Sequence, residues 1–287
     1  MFTRRSSMLA AQALCTAALA TVLATATPAS AQTVVVCSET ALSTAIADAN
    51  SSGGDTLLLT RGCTYALTTP LPAISSDVVI VGNRATLTRS SAASFGILTV
   101  SASGALTVRD AVITNGDAPD FGGGIANFGR LTVSGSTVRG NHANYSGGIG
   151  GASGSTTRIE STGIMGNTAN VNGGGVANDG SMTIANSRVI GNTAVNGVGG
   201  AAANDGTLQI VRSNVNENRA HRAGGVANVG GGSTTISESN VNTNTASVAP
   251  GGVLNTGGSV VLLSSRVRNN QPTNCAGSDI PVPGCTG

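Results

Sequence analysis

Residues 173–204 read GGGVANDGSMTIANSRVIGNTAVNGVGGAAAN, and this stretch decides the fold. It opens and closes on one mark, a Gly pair leading through a short apolar run to Asn, at Asn178 and again at Asn204. Between them lie two more marks, the triplet Met182-Thr183-Ile184 and an apolar Val189 three residues before Asn192. All three recur in phase on either side. The triplets end at Val108, Val133, Ile159, Ile184, Ile210, Ile236 and Leu262, in steps of 25 or 26 residues. An apolar residue stands three before Asn115, Asn141, Asn167, Asn192, Asn218, Asn244 and Asn270, with the same steps. The Gly-pair mark ends at Asn127, Gly151, Asn178, Asn204, Asn228 and Asn255.

Each short segment alternates with period two, which is the signature of a strand, and the turns between are Gly, Asn and Ser. A unit of about 26 residues cannot bury its own apolar face, so successive units must stack. Three short strands per unit then predict a parallel β-helix, one repeat per coil, with about 4.8 Å between coils. Leu131 and Val133 should point inward and Thr132 outward; Ser136 and Val138 inward and Arg139 outward. The Asn series from Asn115 to Asn270 is expected to form a corner ladder, its residues adopting left-handed geometry and their amides bonding along the stack. Gly174, Gly175, Gly224 and Gly225 would relieve close approach or positive φ at another corner.

Composition agrees. The 287 residues include 41 Gly and 25 Asn but six aromatics and neither Lys nor Trp. Gly is far from the one third of collagen, and 40% apolar residues with near-zero net charge oppose wholesale disorder. A large helical domain fits poorly with so much Gly and β-branched residue. The core must be built from small stacked aliphatics.

Residues 1–31 are expected to be a secretory signal, with Arg4 and Arg5, the apolar stretch Met8 to Ala26, and Ala29-Ser30-Ala31 as the cleavage site. Removal leaves 13 Arg against 13 acidic residues. Such a neutral chain has no electrostatic footprint for nucleic acid or anionic membrane, and neither partner nor membrane insertion is expected. Arg219-His221-Arg222 is read as a solvated loop, with an anion site as the alternative. Cys15 leaves with the signal, and the four remaining cysteines cluster at the two ends. Cys37–Cys63 and Cys275–Cys285 are the expected pairs. Ser38 should cap a short helix through about Ala49, whose stripe Leu42, Ala45, Ile46 and Ala49 covers the first coil. The organisation read from the chain is a cap with irregular coils over 32–96, regular repeats over 97–271, and a disulfide-looped tail over 272–287. That tail, with Pro272, Pro281 and Pro283, is expected to close the far edge against strand addition.

The Gly-Gly-x-(Ile/Val) and (Val/Ile)-x-x-Asn marks resemble the repeats of the polymorphic outer membrane proteins, whose pattern is GG-A-I with F-x-x-N. The opening CSETALSTAIADAN, GGDTLLL and GCTYALTTP, within residues 37 to 70, looks like the start of secreted bacterial right-handed parallel β-helix repeat proteins. The resemblance covers nearly the whole chain after residue 31. It implies an all-β, right-handed parallel β-helix, a solenoid of about eight coils, without the C-terminal barrel of the outer membrane family. It implies secretion but no particular activity.

The fold class also houses pectate lyases and polygalacturonases. Their N-T-D, D-D, G-H-G and R-I-K marks are all missing from this sequence. Asp179 and Asp205 are the best catalytic candidates, since they follow Asn178 and Asn204 in equivalent places and stacking would put them roughly 5 Å apart. Two turn aspartates in solvent is the competing reading. Asp117 and Asp120, in a loop before Phe121, are the candidates for a calcium or carbohydrate site, against a plain loop rim. His142 and His221 fall on different coils and share no partner at a motif spacing. A flat ice-binding array fails because Arg158, Gln209 and Val261 interrupt the outward threonines. Met165 and Ile190 are expected to form a small exposed patch. The leading expectation is a secreted, non-catalytic monomer without cofactor, a scaffold or adhesin-like surface for extracellular polysaccharide or a cell-surface component. The alternative is a polysaccharide lyase or glycoside hydrolase of the pectate-lyase-like superfamily. The discriminating feature is whether either acidic pair shares a cleft with Phe121, Phe128 or Tyr145.

Overall fold

The computed structural model describes residues 32–287; the signal expected over 1–31, with Cys15, lies outside the described residues. Three parallel sheets wind about nine turns as a right-handed β-helix behind one short helix. The extra turn arises at the start. Gly54–Leu59 pairs in register with Asp77–Arg89, so the segment that lacks the sequence marks is already coiled.

One coil shows the plan. Arg130–Ser134 and Thr137–Arg139 both belong to the long sheet, bent between them; His142–Tyr145 lies in a second sheet and Ile149–Gly151 in a third. Each coil from Arg130 to Asn255 therefore has four strands where three were expected. The unforeseen strand contributes one inward side chain, the stacked Ala118, Ala143, Ala169, Ala194, Ala220 and Ala246, and a single apolar residue carries no visible alternation. Inside, like sits on like: Ile159, Ile184, Ile210 and Ile236 form one fully buried column. Among the described residues the only buried rings are Tyr65 and Phe95, both near the start, and only Tyr65 is fully enclosed.

Corners are built from pairs of residues. At the first, a left-handed residue (Gly135, Ser161, Asn186) precedes a buried hydroxyl (Ser136, Thr162, Ser187). The Ser187 hydroxyl accepts from the Thr162 N–H one coil earlier at 3.1 Å. At the second corner Gly140, Gly166, Gly191 and Glu217 take the positive φ, and the Asn that follows each forms the ladder. Asn192 Oδ1 accepts from the Asn167 N–H at 2.9 Å and from its Nδ2 at 3.0 Å, while Asn192 Nδ2 donates to Ile164 O and Asn218 Oδ1, both at 3.0 Å. The ladder runs Asn141, Asn167, Asn192, Asn218, Asn244, Asn270, all buried.

Two expectations are thereby corrected. The ladder asparagines are not themselves left-handed; the preceding residue turns the chain, which frees the amide to point inward. Asn115 is not a rung. Ile113, not Val112, aligns with Val138, so Asn115 takes the left-handed place (φ 60) and Gly116 the rung. A third corner carries a second, unforeseen ladder, in which Asn178 donates to Asn204, Asn204 to Asn228, and Asn228 to Asn255 at 2.8–3.1 Å. In the turn between the second and third sheets Gly174 answers close approach rather than positive φ, because a Cβ would stand 2.6 Å from the Gly200 carbonyl oxygen.

The ends follow the expected chemistry with one exception. Helix Glu39–Ser52 starts at Ser38, whose side chain accepts from the Ala41 N–H, and buries Leu42, Ala45, Ile46 and Ala49. Glu39 then accepts from the backbone N–H groups of Thr68 and Thr69, joining cap to coil. Cys37–Cys63 and Cys275–Cys285 are both disulfides. The tail, however, pairs with the second and third sheets (Thr245 with Gln271, Val253 N–H to Asn274 O) and leaves Ser259–Leu263 of the long sheet as an unpaired edge. Its loop is tied there by Arg222, which donates to Gly277 O and Asp279, both at 2.8 Å. Arg222 is thus a strut rather than part of an anion site. Met165 and Ile190 do stack, but both are half-buried.

Candidate functional site

The third sheet has strands of three residues, so its middle residue alone faces outward. In register these are Thr99, Ala126, Gly150, Ala177, Ala203 and Ala227. Small residues make a flat floor. One wall is the end of the second sheet, where Phe121 and Tyr145 pair on consecutive coils and Asn172 and Val198 follow. The other wall is the residue just past each third-sheet strand: Phe128, Ala152, Asp179, Asp205 and Val229. Each is pinned by its backbone N–H to the preceding coil, as in Asp179 to Gly151 O and Asp205 to Asn178 O, both 2.8 Å. Val198 and Val229 close over Ala227 and Leu254 at the far end.

The result is a groove with two clefts separated by Phe121. One, of about 330 Å³, is lined by Phe121, Tyr145, Asn172, Asp179 and Asp205 over Ala177 and Ala203. The other, of about 370 Å³, holds Asp120 and Phe128 with Pro70, Leu71 and Phe95. The Phe121 and Phe128 rings lie 5.9 Å apart, tilted by 49°. The Phe121 ring rests directly on Gly150, where a Cβ would overlap ring atoms. That explains why this floor position alone is Gly while its partners are Ala126 and Ala177.

Asp179 and Asp205 therefore share a cleft with two aromatic rings, and they are register neighbours as the spacing required. Both are solvent-accessible, yet the cleft walls strip water from Asp179, and this loss, followed by the charge of Asp205, raises its pKa above the ordinary carboxylate value. The Asp205 carboxylate lies against Gly230, where a side chain would displace it.

Asp117 and Asp120 do not form one site. Asp117 accepts from Ser94 at 2.7 Å and meets His142 Nδ1 at 2.7 Å, with Arg89 beyond at 3.9 Å, while Asp120 faces the second cleft. His142 thus does have an acidic partner. That partner is one coil away, at a separation of 25 residues, which is why no motif spacing reveals it. Hydrogen bonding to His142 and then to Ser94 lowers the Asp117 pKa. The order is Ser–Asp–His, with the other His142 nitrogen 3.2 Å from Asn170 Oδ1, so no hydroxyl is bonded to the imidazole for activation. Among the described residues no group of three or more His, Cys, Asp or Glu is placed to hold a metal ion, and no helix is long and apolar enough to cross a membrane.

Fold and groove together define a parallel β-helix with an acidic, aromatic-walled lateral groove. Comparison with protein-family models, with curated proteins and with solved structures finds no match to this chain.

Proposed function

We propose that this is a secreted, non-catalytic β-helix that offers its groove, as an adhesin-like surface, to uncharged polysaccharide. The observation that carries this reading is the cleft joining Phe121 and Tyr145 to Asp179 and Asp205. Aromatic faces pack against the C–H faces of pyranose rings, and ionised carboxylates accept strong hydrogen bonds from sugar hydroxyls. About 330 Å³ is at the small end of ligand sites, enough for one or two sugar rings. Neither cleft is lined by Arg or His, while Asp120, Asp179 and Asp205 are all acidic, so polyuronates would be repelled. The same lining offers no basic side chain to a lyase. Two disulfides suit an oxidising compartment and support export. The likeness to polymorphic outer membrane protein repeats rests on the quoted motifs.

A second reading, a glycoside hydrolase, is favoured by one observation: Asp179 has a raised pKa beside a second carboxylate, the arrangement that separates a general acid from its partner. Purified protein presented with neutral and acidic polysaccharides, scored for both retention and reducing-end release, separates the two. Retention on neutral polymers without release supports the binding surface. Release that is lost in Asp179→Asn or Asp205→Asn establishes the hydrolase, and retention on polyuronates alone overturns both.

A further inference from the structure

The long sheet ends in two open edges. Among the described residues Gln32–Val35, its first strand, pairs on one side only, with Gly54–Leu59; at the far end Ser259–Leu263 pairs only with Ser233–Ser237 and Arg266–Arg268 only with Asn240–Asn242. Following register from rung to rung, Val34 heads a column that runs through Leu58, Val81, Arg109, Ser134, Glu160, Ala185, Val211 and Ser237 to Leu263. By the same register Gln32 and Val261 end one column, and Thr33 and Leu262 another. The first strand is therefore aligned, residue for residue, to continue the last one.

The surface agrees with this geometry. Large exposed apolar side chains gather at the two ends, Val34 (67%) and Val36 (62%) at the first and Val261 (43%) and Leu263 (51%) at the last. Native sheets blunt such edges with charge, bulges or a covering segment, yet the C-terminal tail passes over the other two sheets. Charge is complementary. Residues 32–63 hold Glu39, Asp48 and Asp55 against the single basic residue Arg61, whereas the last turn of the long sheet exposes Arg266 and Arg268.

We infer that the protein assembles end to end with further copies of itself, Gln32–Val34 of one copy adding in parallel to Val261–Leu263 of the next. The contact is heterologous, so it does not close at a dimer and grows into a filament. This inference is independent of the groove and departs from the monomer expected from sequence.

The test uses the full chain, in the form that accumulates on expression, and measures its mass in solution by light scattering over a wide concentration range. Single substitutions Val34→Lys and Leu263→Lys, both at exposed positions, are checked for retained circular dichroism. The wild type should grow beyond a dimer with concentration, and each variant alone should be monomeric. Mixed, the two variants should give a particle of twice the single-chain mass and no more, because one keeps only its last edge and the other only its first. A wild type that stays monomeric throughout overturns the inference. So does a dimer that persists in either variant alone, which would mark a two-fold contact instead.

Discussion

Asp179 and Asp205 occupy the same register position on consecutive coils, one strand spacing apart along the groove wall. Two like charges at that distance, with one of them partly dehydrated, oppose ionisation, and Asp179 carries the shift. Its native pKa is raised above the unfolded value near 3.8, so the folded protein binds the proton more tightly. Stability is unaffected below the unfolded pKa and is reduced once the pH exceeds the native one. Asp179→Asn should accordingly raise the melting temperature at neutral pH. The gain should vanish as the pH falls through the native pKa toward 3.8. Melting curves of the two proteins across this range check it; a variant less stable than wild type at pH 7 would mean that Asp179 makes a favourable contact in its ionised form.

Gly150 tests the seat of Phe121. Ala fills the equivalent places at Ala126 and Ala177, so the strand itself tolerates a methyl group. At position 150 that methyl would occupy the space of the ring and push Phe121 out of the groove. Gly150→Ala should keep the far-ultraviolet circular dichroism of the wild type and weaken retention on neutral polysaccharide about tenfold, equivalent to about 1.4 kcal/mol.

The two kinds of corner asparagine should differ in energetic weight. Asn192→Leu leaves the Asn167 N–H without its acceptor and removes one bond each from the Asn167 amide, which keeps Val138 O, the Ile164 carbonyl, and the Asn218 amide oxygen, which keeps the N–H of residue 192. At roughly 1–3 kcal/mol for the buried group left unpaired and about 1 kcal/mol for each further bond lost, the total should be several kcal/mol. Asn115→Leu, at an exposed position, loses one side-chain bond, to the Arg89 carbonyl, and puts Leu at φ 60, so it should cost about 1–2 kcal/mol. Chemical denaturation of both variants gives the comparison.

The third-corner ladder has one missing rung. Gly151 stands between Asn127 and Asn178, and the Asn178 amide oxygen and the Ser155 hydroxyl are buried there without a partner. Asn228 shows the bonding available, because it accepts from Thr234, six residues on, and Thr157 stands six residues after Gly151; the Asn178, Thr157 and Ser155 side chains, 3.2–3.3 Å from a Cβ at 151, need shift only by a few tenths of an ångström. Gly151→Asn should therefore stabilise the protein by about 1 kcal/mol, read as a higher denaturation midpoint.

The fold was legible because its marks repeat in phase, and so was the Asp179–Asp205 pair, which sits inside a mark. What escaped reading has specific causes. The second-sheet strand shows one alanine per coil, too little for periodicity. Asn115 imitates a rung because its coil is offset by one residue at Ile113. Asp117 and His142 meet only through register. Phe121 and Tyr145 pair across a bulge, three residues after Ala118 in one coil and two after Ala143 in the next, so no constant spacing relates them. The groove is made of those irregularities, which is why the sequence placed Asp179 beside Asp205 but could only name Phe121, Phe128 and Tyr145 without placing them.

The groove itself is tested most directly by titrating a neutral oligosaccharide, chosen from the polymers that retain the wild type, into wild type and the double variant Phe121→Ala/Tyr145→Ala in a calorimeter. Two aromatic platforms at about 1 kcal/mol each predict an affinity at least about tenfold weaker in the double variant, with the fold unchanged by circular dichroism. Equal affinity in the two proteins would contradict the assignment of the groove as the binding site.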